Sequence, residues 1–257
     1  MSRRALVIGG SLGGLLAANL LRRAGWHAAV FERNEEDLTG RGVGLGTHPQ
    51  LISVLRRAGI AFDETMGVAV PKVICLDRAG NIIIEQPSAR TMSAWSRLYR
   101  ALRAALPAQD YRLGKKLRRI EQDAEGVTAT FDDSSSERGD LLVGADGIRS
   151  TVREQFLPQT QPLYAGYVAW RAVLDETRVP RRAHREIFEF TLSACPRASS
   201  CSVIRCLGTT ATQFQGAAVT TSSGTGPEMR LRWTRCAPMR QGNCTAAGLR
   251  HRSFAMR

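Results

Sequence analysis

The sequence predicts an α/β fold: a parallel sheet flanked by helices, with a β-rich region threaded through it. Two observations carry this prediction. Residues 5–33, ALVIGGSLGGLLAANLLRRAGWHAAVFER, run strand, glycine-rich turn, helix, strand, acid. Residues 141–153, LLVGADGIRSTVR, run apolar strand, Asp-Gly turn, helix. Between them, apolar runs separated by short Gly-containing turns read as hairpins.

In the first stretch the apolar run Ala5–Ile8 meets Gly9, Gly10, Gly13 and Gly14. Gly9 allows a tight turn directly after the strand. Position 11 has to let a ligand phosphate approach the backbone. Gly14 lets the helix pack against the strand. The helix start then offers free N–H groups and a partial positive charge. Glu32 follows Gly9 by 23 residues, near the spacing of about 20 at which an acid accepts hydrogen bonds from a ribose. The order and register point to a Rossmann-like unit that binds an adenine dinucleotide. Position 11 departs from the strict G-x-G-x-x-G pattern. It is Ser11, which is small and carries a hydroxyl able to bond a phosphate. A 2′-phosphate at this site is disfavoured, because Glu32 would repel it.

Further along, Pro49 opens a helix over Gln50–Ala58 that Gly59 closes. Val73–Asp77 and Asn81–Gln86 flank Arg78-Ala-Gly80 as a hairpin. Ser93–Leu106 repeats apolar residues at helical spacing (Leu98, Leu102, Ala105, Leu106) and stops at Pro107. Leu117–Asp123 and Val127–Phe131 form a second hairpin through Glu125-Gly126. Leu141–Ala145 is a buried strand leading into Asp146-Gly147 and a helix over Arg149–Phe156, ended by Pro158. Tyr164–Leu174 alternates as a strand.

Composition narrows the class. The net charge is +13 over 257 residues. Residues 191–257 hold nine Arg, no Lys and one acid (Glu228), or +8, which leaves +5 for residues 1–190. The basic residues of the first part fall mostly on helix faces, as at Arg56–Arg57 and Arg100–Arg103, so nucleic acid is not an expected partner. No run of about 18 apolar residues occurs, so no membrane span is expected. The start MSRRALVIGG reads as a strand rather than a signal peptide, and a cytoplasmic location is expected. Of six cysteines, five follow residue 190 with no C-x-x-C pair, so neither a metal site nor a disulfide framework is expected. Cys75 reads as a core residue.

With Asp146 and Gly147 at the end of an apolar strand, about 130 residues after the first turn, the chain resembles the FAD-dependent aromatic hydroxylases. These are the para-hydroxybenzoate hydroxylase-like monooxygenases. Within them it is similar to the 2,6-dihydroxypyridine 3-monooxygenase branch, through the GGS-x-GG turn and the strand YAGYVAWR (Tyr164–Arg171). The resemblance covers residues 4–190. It implies a Rossmann-like FAD-binding domain with an inserted β-rich substrate region, truncated relative to the family. The implied limits are a FAD-binding domain over 1–163, with hairpin 68–92 belonging to the substrate region. The substrate domain would begin at 164–190, and 191–257 is a divergent tail.

The resemblance also implies roles. Gly9, Ser11, Leu12 and Gly14 match the turn on the FAD pyrophosphate. Glu32 matches the acid on the adenosine ribose, with Arg33 beside it. Arg41, Gly42 and Gly44 match the segment under the flavin. Asp146 and Gly147 match the motif linked to both FAD and NAD(P)H. Trp95 stands where many members carry an arginine at the start of a helix. Apart from the resemblance, His48 follows Gly42 and Gly44 and reads two ways: as a catalytic base or hydrogen-bond donor to an aromatic hydroxyl, or as a helix-start histidine with no catalytic role. The implied reaction is hydroxylation of a hydroxypyridine or phenol with NAD(P)H and O2. The implied partners are FAD, the small aromatic substrate and O2; a homodimer is an admissible assembly.

After about Thr191 the sequence loses periodicity and nearly all acids, and the family's third, Gly-Asp motif is not found. A shifted reading frame near residues 190–195 accounts for this bias; a disordered basic tail is the alternative. Two functional outcomes follow: an active monooxygenase, or an inactive remnant with partial FAD binding.

Overall fold

The structure, a computed structural model, describes residues 3–40, 44–77, 81–163, 168–174, 181, 191–194, 201–206 and 211–218. In chain order, β1 (Arg4–Ile8), α1 (Leu12–Arg23) and β2 (His27–Phe31) build the first expected unit. They are followed by β3 (Gly44–Thr47) and α2 (Pro49–Arg57), the latter within a residue of its expected limits. β4 (Val68–Leu76) and β5 (Ile82–Ala94) form the first hairpin, which extends well beyond the expected strands at its open end and stops one residue short of them on each side of the turn. α3 (Trp95–Ala104) and β6 (Tyr111–Arg112) come next. β7 (Leu117–Asp123), β8 (Gly126–Phe131) and β9 (Ser136–Gly139) make a meander. β10 (Leu141–Gly144) and α4 (Thr151–Phe156) carry the second motif. β11 (Val168–Leu174), β12 (Thr191–Ala194), β13 (Cys201–Cys206) and β14 (Ala211–Ala218) follow.

Three sheets result. The first is parallel throughout, in the order β10-β1-β2-β6. The second has seven strands in the order β11-β14-β13-β12-β4-β5-β3, and the third is the meander β7-β8-β9. The parallel sheet is a septum between two apolar layers, because side chains alternate across a strand. Ala5, Val7, Ala28 and Val30 face a cluster built with Leu15 and Ala18 of α1 and Leu98, Tyr99 and Leu102 of α3. Leu6, Ile8, Ala29 and Phe31 face the meander through Ile120, Val127, Ala129 and Phe131. The Phe31 and Phe131 rings meet at 4.9 Å. Burial on both faces is why β1 and β2 read as unbroken apolar runs.

Several expectations are corrected. Ser93 and Ala94 belong to β5 and not to the following helix, because Leu45 pairs with Ser93 and Gly44 with Ala94. Arg149 and Ser150 precede α4, whose first turn is set by the Ser150 cap. β3, β6 and β9 are not legible as strands: each has four residues or fewer, and none has local periodicity. β12–β14 lie in the stretch that shows no sustained periodicity. β12 is set in place by parallel pairing with β4, Leu192 opposite Ile74, a long-range partner that no local pattern reports. Residues 164–167 of the expected strand lie outside the described residues. Among the described residues no helix is long and apolar enough to cross a membrane.

Candidate cofactor site

Gly9 leaves β1 with φ of +107°, and a Cβ built there would overlap the Ala145 carbonyl oxygen at the end of β10. Only glycine fits. The turn is tied down by Gly9 N–H donating to the Phe31 carbonyl at 2.9 Å and Ala145 N–H donating to the Ile8 carbonyl at 2.7 Å. Gly14 is buried against the Gly9 carbonyl, the close helix packing expected of it. Ser11 caps α1 in an extended conformation, and its hydroxyl makes no capping bond. The first bond of the helix runs from Leu15 N–H to the Ser11 carbonyl at 3.0 Å. The N–H groups of Ser11, Leu12, Gly13 and Gly14 therefore have no acceptor within α1. A hydroxyl and a fan of N–H donors at one helix start are suited to a pyrophosphate.

Glu32 is 5% exposed at the end of β2. Its Oε2 accepts the Gly10 N–H at 2.7 Å, and its Oε1 accepts the Asn34 N–H at 3.0 Å and the Asn34 side-chain amide. A carboxylate oxygen accepts two bonds, so Oε2 retains capacity for a ribose hydroxyl. The acid is held by the chain around β6: Glu32 N–H donates to the Arg112 carbonyl and Lys115 N–H to the Glu32 carbonyl, each at 2.8 Å.

The second turn is built differently. Asp146 Oδ1 accepts the Ser150 hydroxyl at 2.6 Å, and Oδ2 accepts the Val152 N–H at 3.2 Å. Ser150 in turn caps α4 by accepting the Arg153 N–H at 2.9 Å. Gly147 sits at φ of +79° with open space where a Cβ would lie. Asp146 thus shapes the loop as well as lining the site.

One cavity of about 470 Å³ brings Gly9, Ser11, Glu32, Arg33, Asp146 and Gly147 together. Leu12 and Gly14 stand behind it in α1. Gly44 starts β3 opposite Ala94, next to the cavity residue Trp95. Arg41 and Gly42 lie outside the described residues. A larger hollow of about 730 Å³ between β7, β10 and α4 contains none of the residues predicted for the site; the chemistry favours the smaller one. His48 is exposed and caps α2, its Nδ1 accepting the Leu51 N–H at 3.3 Å.

Sequence reasoning missed Asn34, Lys115, Lys116 and Arg149 on the cavity wall. The two lysines arrive through the β6–β7 connection, far along the chain, with no motif to mark them. Lys115 Nζ pairs with Asp133 at 2.5 Å, and that lysine with the Ser135 hydroxyl holds the Asp133 carboxyl down at about 2. Lys116 pairs with Asp132 at 2.7 Å. With Arg33 and Arg149 they bring four cations to the cavity wall, against the carboxylates of Glu32 and Asp146. Below the turn, burial pushes the Tyr111 phenol far above its usual range, with Tyr99 and the nearby Glu32 and Asp37 charges adding to the rise. Burial likewise raises Tyr99. Burial works upward on Asp37 too, but the Thr39 hydroxyl and N–H and the Tyr99 hydroxyl outweigh it and hold the carboxyl below its usual value.

Comparison with known proteins fits this geometry. The family model described as FAD binding domain matches residues 3–237. The 2,6-dihydroxypyridine 3-monooxygenase of Paenarthrobacter nicotinovorans is 33% identical over 183 residues, 68% of this chain and 44% of that protein. The solved 2,6-dihydroxypyridine-3-hydroxylase of Arthrobacter nicotinovorans superposes with a TM-score of 0.78 at 26% identity, over 87% of this chain and 58% of that one. A Klebsiella pneumoniae protein solved with FAD and uric acid superposes at 0.74 with 25% identity, over 87% and 58%. The chain spans about half the length of the curated relatives it matches. The glycine cradle that a Cβ would fill, the uncommitted Ser11 hydroxyl and the cationic wall all fit FAD. The chain belongs to the FAD-binding-domain family, with the ancestry of the para-hydroxybenzoate hydroxylase-like flavin monooxygenases.

Proposed function

We propose that the protein is an FAD-dependent monooxygenase that hydroxylates an electron-rich aromatic heterocycle of the hydroxypyridine class with NAD(P)H and O2, in the cytoplasm. The observation that carries this reading is the single cavity that joins the glycine turn, Glu32 and the Asp146-Gly147 turn. In it the N–H groups at the start of α1 and the Ser11 hydroxyl hold the pyrophosphate. Glu32 takes the ribose hydroxyls, and Arg33, Lys115 and Lys116 balance the phosphate charge. Asp146 fixes the loop that carries Gly147 against the cofactor. Arg41, Gly42 and Gly44 are the proposed contacts to the flavin, by the resemblance alone. His48 is the proposed base or donor toward a substrate hydroxyl. Bound FAD supplies the redox chemistry, and the protein supplies orientation and exclusion of water.

A second reading rests on the change of sequence character after about Thr191, where no Gly-Asp motif follows: the chain holds the adenosine end of FAD and does not turn over. In that reading 1–163 is the binding unit, 164–190 starts the substrate domain, and 191–257 comes from a shifted frame. Purified protein tests both. Flavin absorbance with NAD(P)H oxidation stimulated by a hydroxypyridine supports the monooxygenase. Binding of ADP as tight as that of FAD, with no oxidation, supports the second. A Gly-Asp motif in another reading frame past residue 190 supports the shifted frame, and its absence sinks that idea.

A further inference from the structure

Two side chains grip the backbone on either side of the Gly10 Cα. The Gly10 N–H donates to Glu32 Oε2 at 2.7 Å, and the Gly10 carbonyl accepts the Tyr111 hydroxyl at 3.0 Å. Tyr111 is 6% exposed, and its hydroxyl lies 3.1 Å from that of Tyr99, which donates to Asp37 Oδ2 at 3.2 Å. Trp95, on the cavity wall, stacks on Tyr99 with centroids 4.9 Å apart and planes 10° apart. A Cβ on Gly10 would collide with the phenol oxygen and ring. So this glycine, outside the strict G-x-G-x-x-G positions, is required by Tyr111, with the Glu32 Cβ also close, and not by a backbone dihedral.

The consequence follows from peptide planarity. In a trans peptide the N–H of residue 11 points opposite to the carbonyl of residue 10. A hydroxyl that holds the Gly10 carbonyl toward the core therefore turns the Ser11 N–H away from it. Ser11 is on the cavity wall and Gly10 is not. We propose that Tyr111 is a positioning residue for cofactor binding: it sets the Gly10–Ser11 peptide so that the Ser11 N–H faces the pyrophosphate, while Glu32 fixes the preceding Gly9–Gly10 peptide. Tyr99 has one proton, shared between Asp37 and the Tyr111 oxygen, and when it donates to Tyr111 it leaves the Tyr111 proton for the Gly10 carbonyl. This rests on the FAD reading, and it concerns the pyrophosphate alone.

The test is titration of the full chain with FAD, ADP and adenosine. Tyr111→Phe keeps the ring and removes the donor. It should weaken FAD and ADP by roughly five- to tenfold, the worth of about one hydrogen bond, and leave adenosine within a factor of about two. Tyr99→Phe should weaken the same two ligands less. It also serves if Tyr111→Phe does not fold, as judged by near-ultraviolet circular dichroism. Equal loss for all three ligands, or none for FAD and ADP, overturns the proposal. Wild-type protein that binds neither FAD nor ADP overturns the FAD reading itself, and the proposal with it.

Discussion

At the β1–α1 turn, close packing fixes the shape: Gly9 meets the Ala145 carbonyl, Gly14 the Gly9 carbonyl, and Gly10 the Tyr111 side chain. At the β10–α4 turn, side chains hold the shape: Asp146 accepts from Ser150 and Val152, and Ser150 from Arg153. Both turns line one cavity. The two turns therefore tolerate change in different places. At Gly9, Gly10 and Gly14 the first turn has no room for a Cβ, so those three are dictated by geometry, while Gly13 is open. The second is open around Gly147 and is dictated by hydrogen bonding and one dihedral angle.

This comparison predicts a ranking of effects. Gly9→Ala combines an overlap with a φ of +107°, and should lower stability by about 3 kcal/mol or more, read from urea midpoints. Gly147→Ala meets only the dihedral cost at φ of +79°, about 1 kcal/mol. Equal losses for the two would break the distinction. Asp146→Ala falls between them. Two acceptors are lost at the start of α4, which should cost about 2 kcal/mol and weaken FAD binding.

Alkaline pH probes the support below the first turn. Tyr99 and Tyr111 are both raised in the folded state above the ordinary value of 10.0. Their contribution is complete below pH 10 and is lost as pH rises through the folded values, because the unfolded chain then releases protons that the folded chain retains. Phenolate absorbance of these two should appear only together with loss of near-ultraviolet dichroism. Phenolate signal from all four tyrosines in still-folded protein would contradict this.

The smallest effect belongs to His48. As a helix cap its replacement by Ala should cost about 1 kcal/mol, and by Asn much less. If His48 also serves the reaction, both variants lose turnover; if it only caps, His48→Asn keeps it.

How legible the site was follows the same contrast. Gly9, Ser11 and Gly14 could be read because they are local: strand, turn and helix lie within 20 residues of sequence. Glu32 could be read because it directly follows β2, which is buried on both faces, and Asp146-Gly147 because it follows the apolar run of β10, although β10 is a half-buried edge strand and not the buried strand expected. Lys115, Lys116 and Tyr111 could not, since they reach the turn through β6, a strand of two residues paired with β2. The requirement for Gly10 depends on Tyr111 and was hidden with it. Ser93 and Ala94 fit a helical pattern, yet pairing with β3 drew them into β5. The β12 strand depends on β4, more than 100 residues away, so no local window reports it.

The most direct measurement is a calorimetric titration of the purified chain with FAD, followed by the flavin spectrum of the complex. The account predicts one FAD bound per chain, with binding weakened at least tenfold by Glu32→Ala, which removes the ribose acceptor and the Gly10 N–H partner together. Folded wild-type protein that takes up no FAD, or a Glu32→Ala variant that binds it as tightly as wild type, would contradict it.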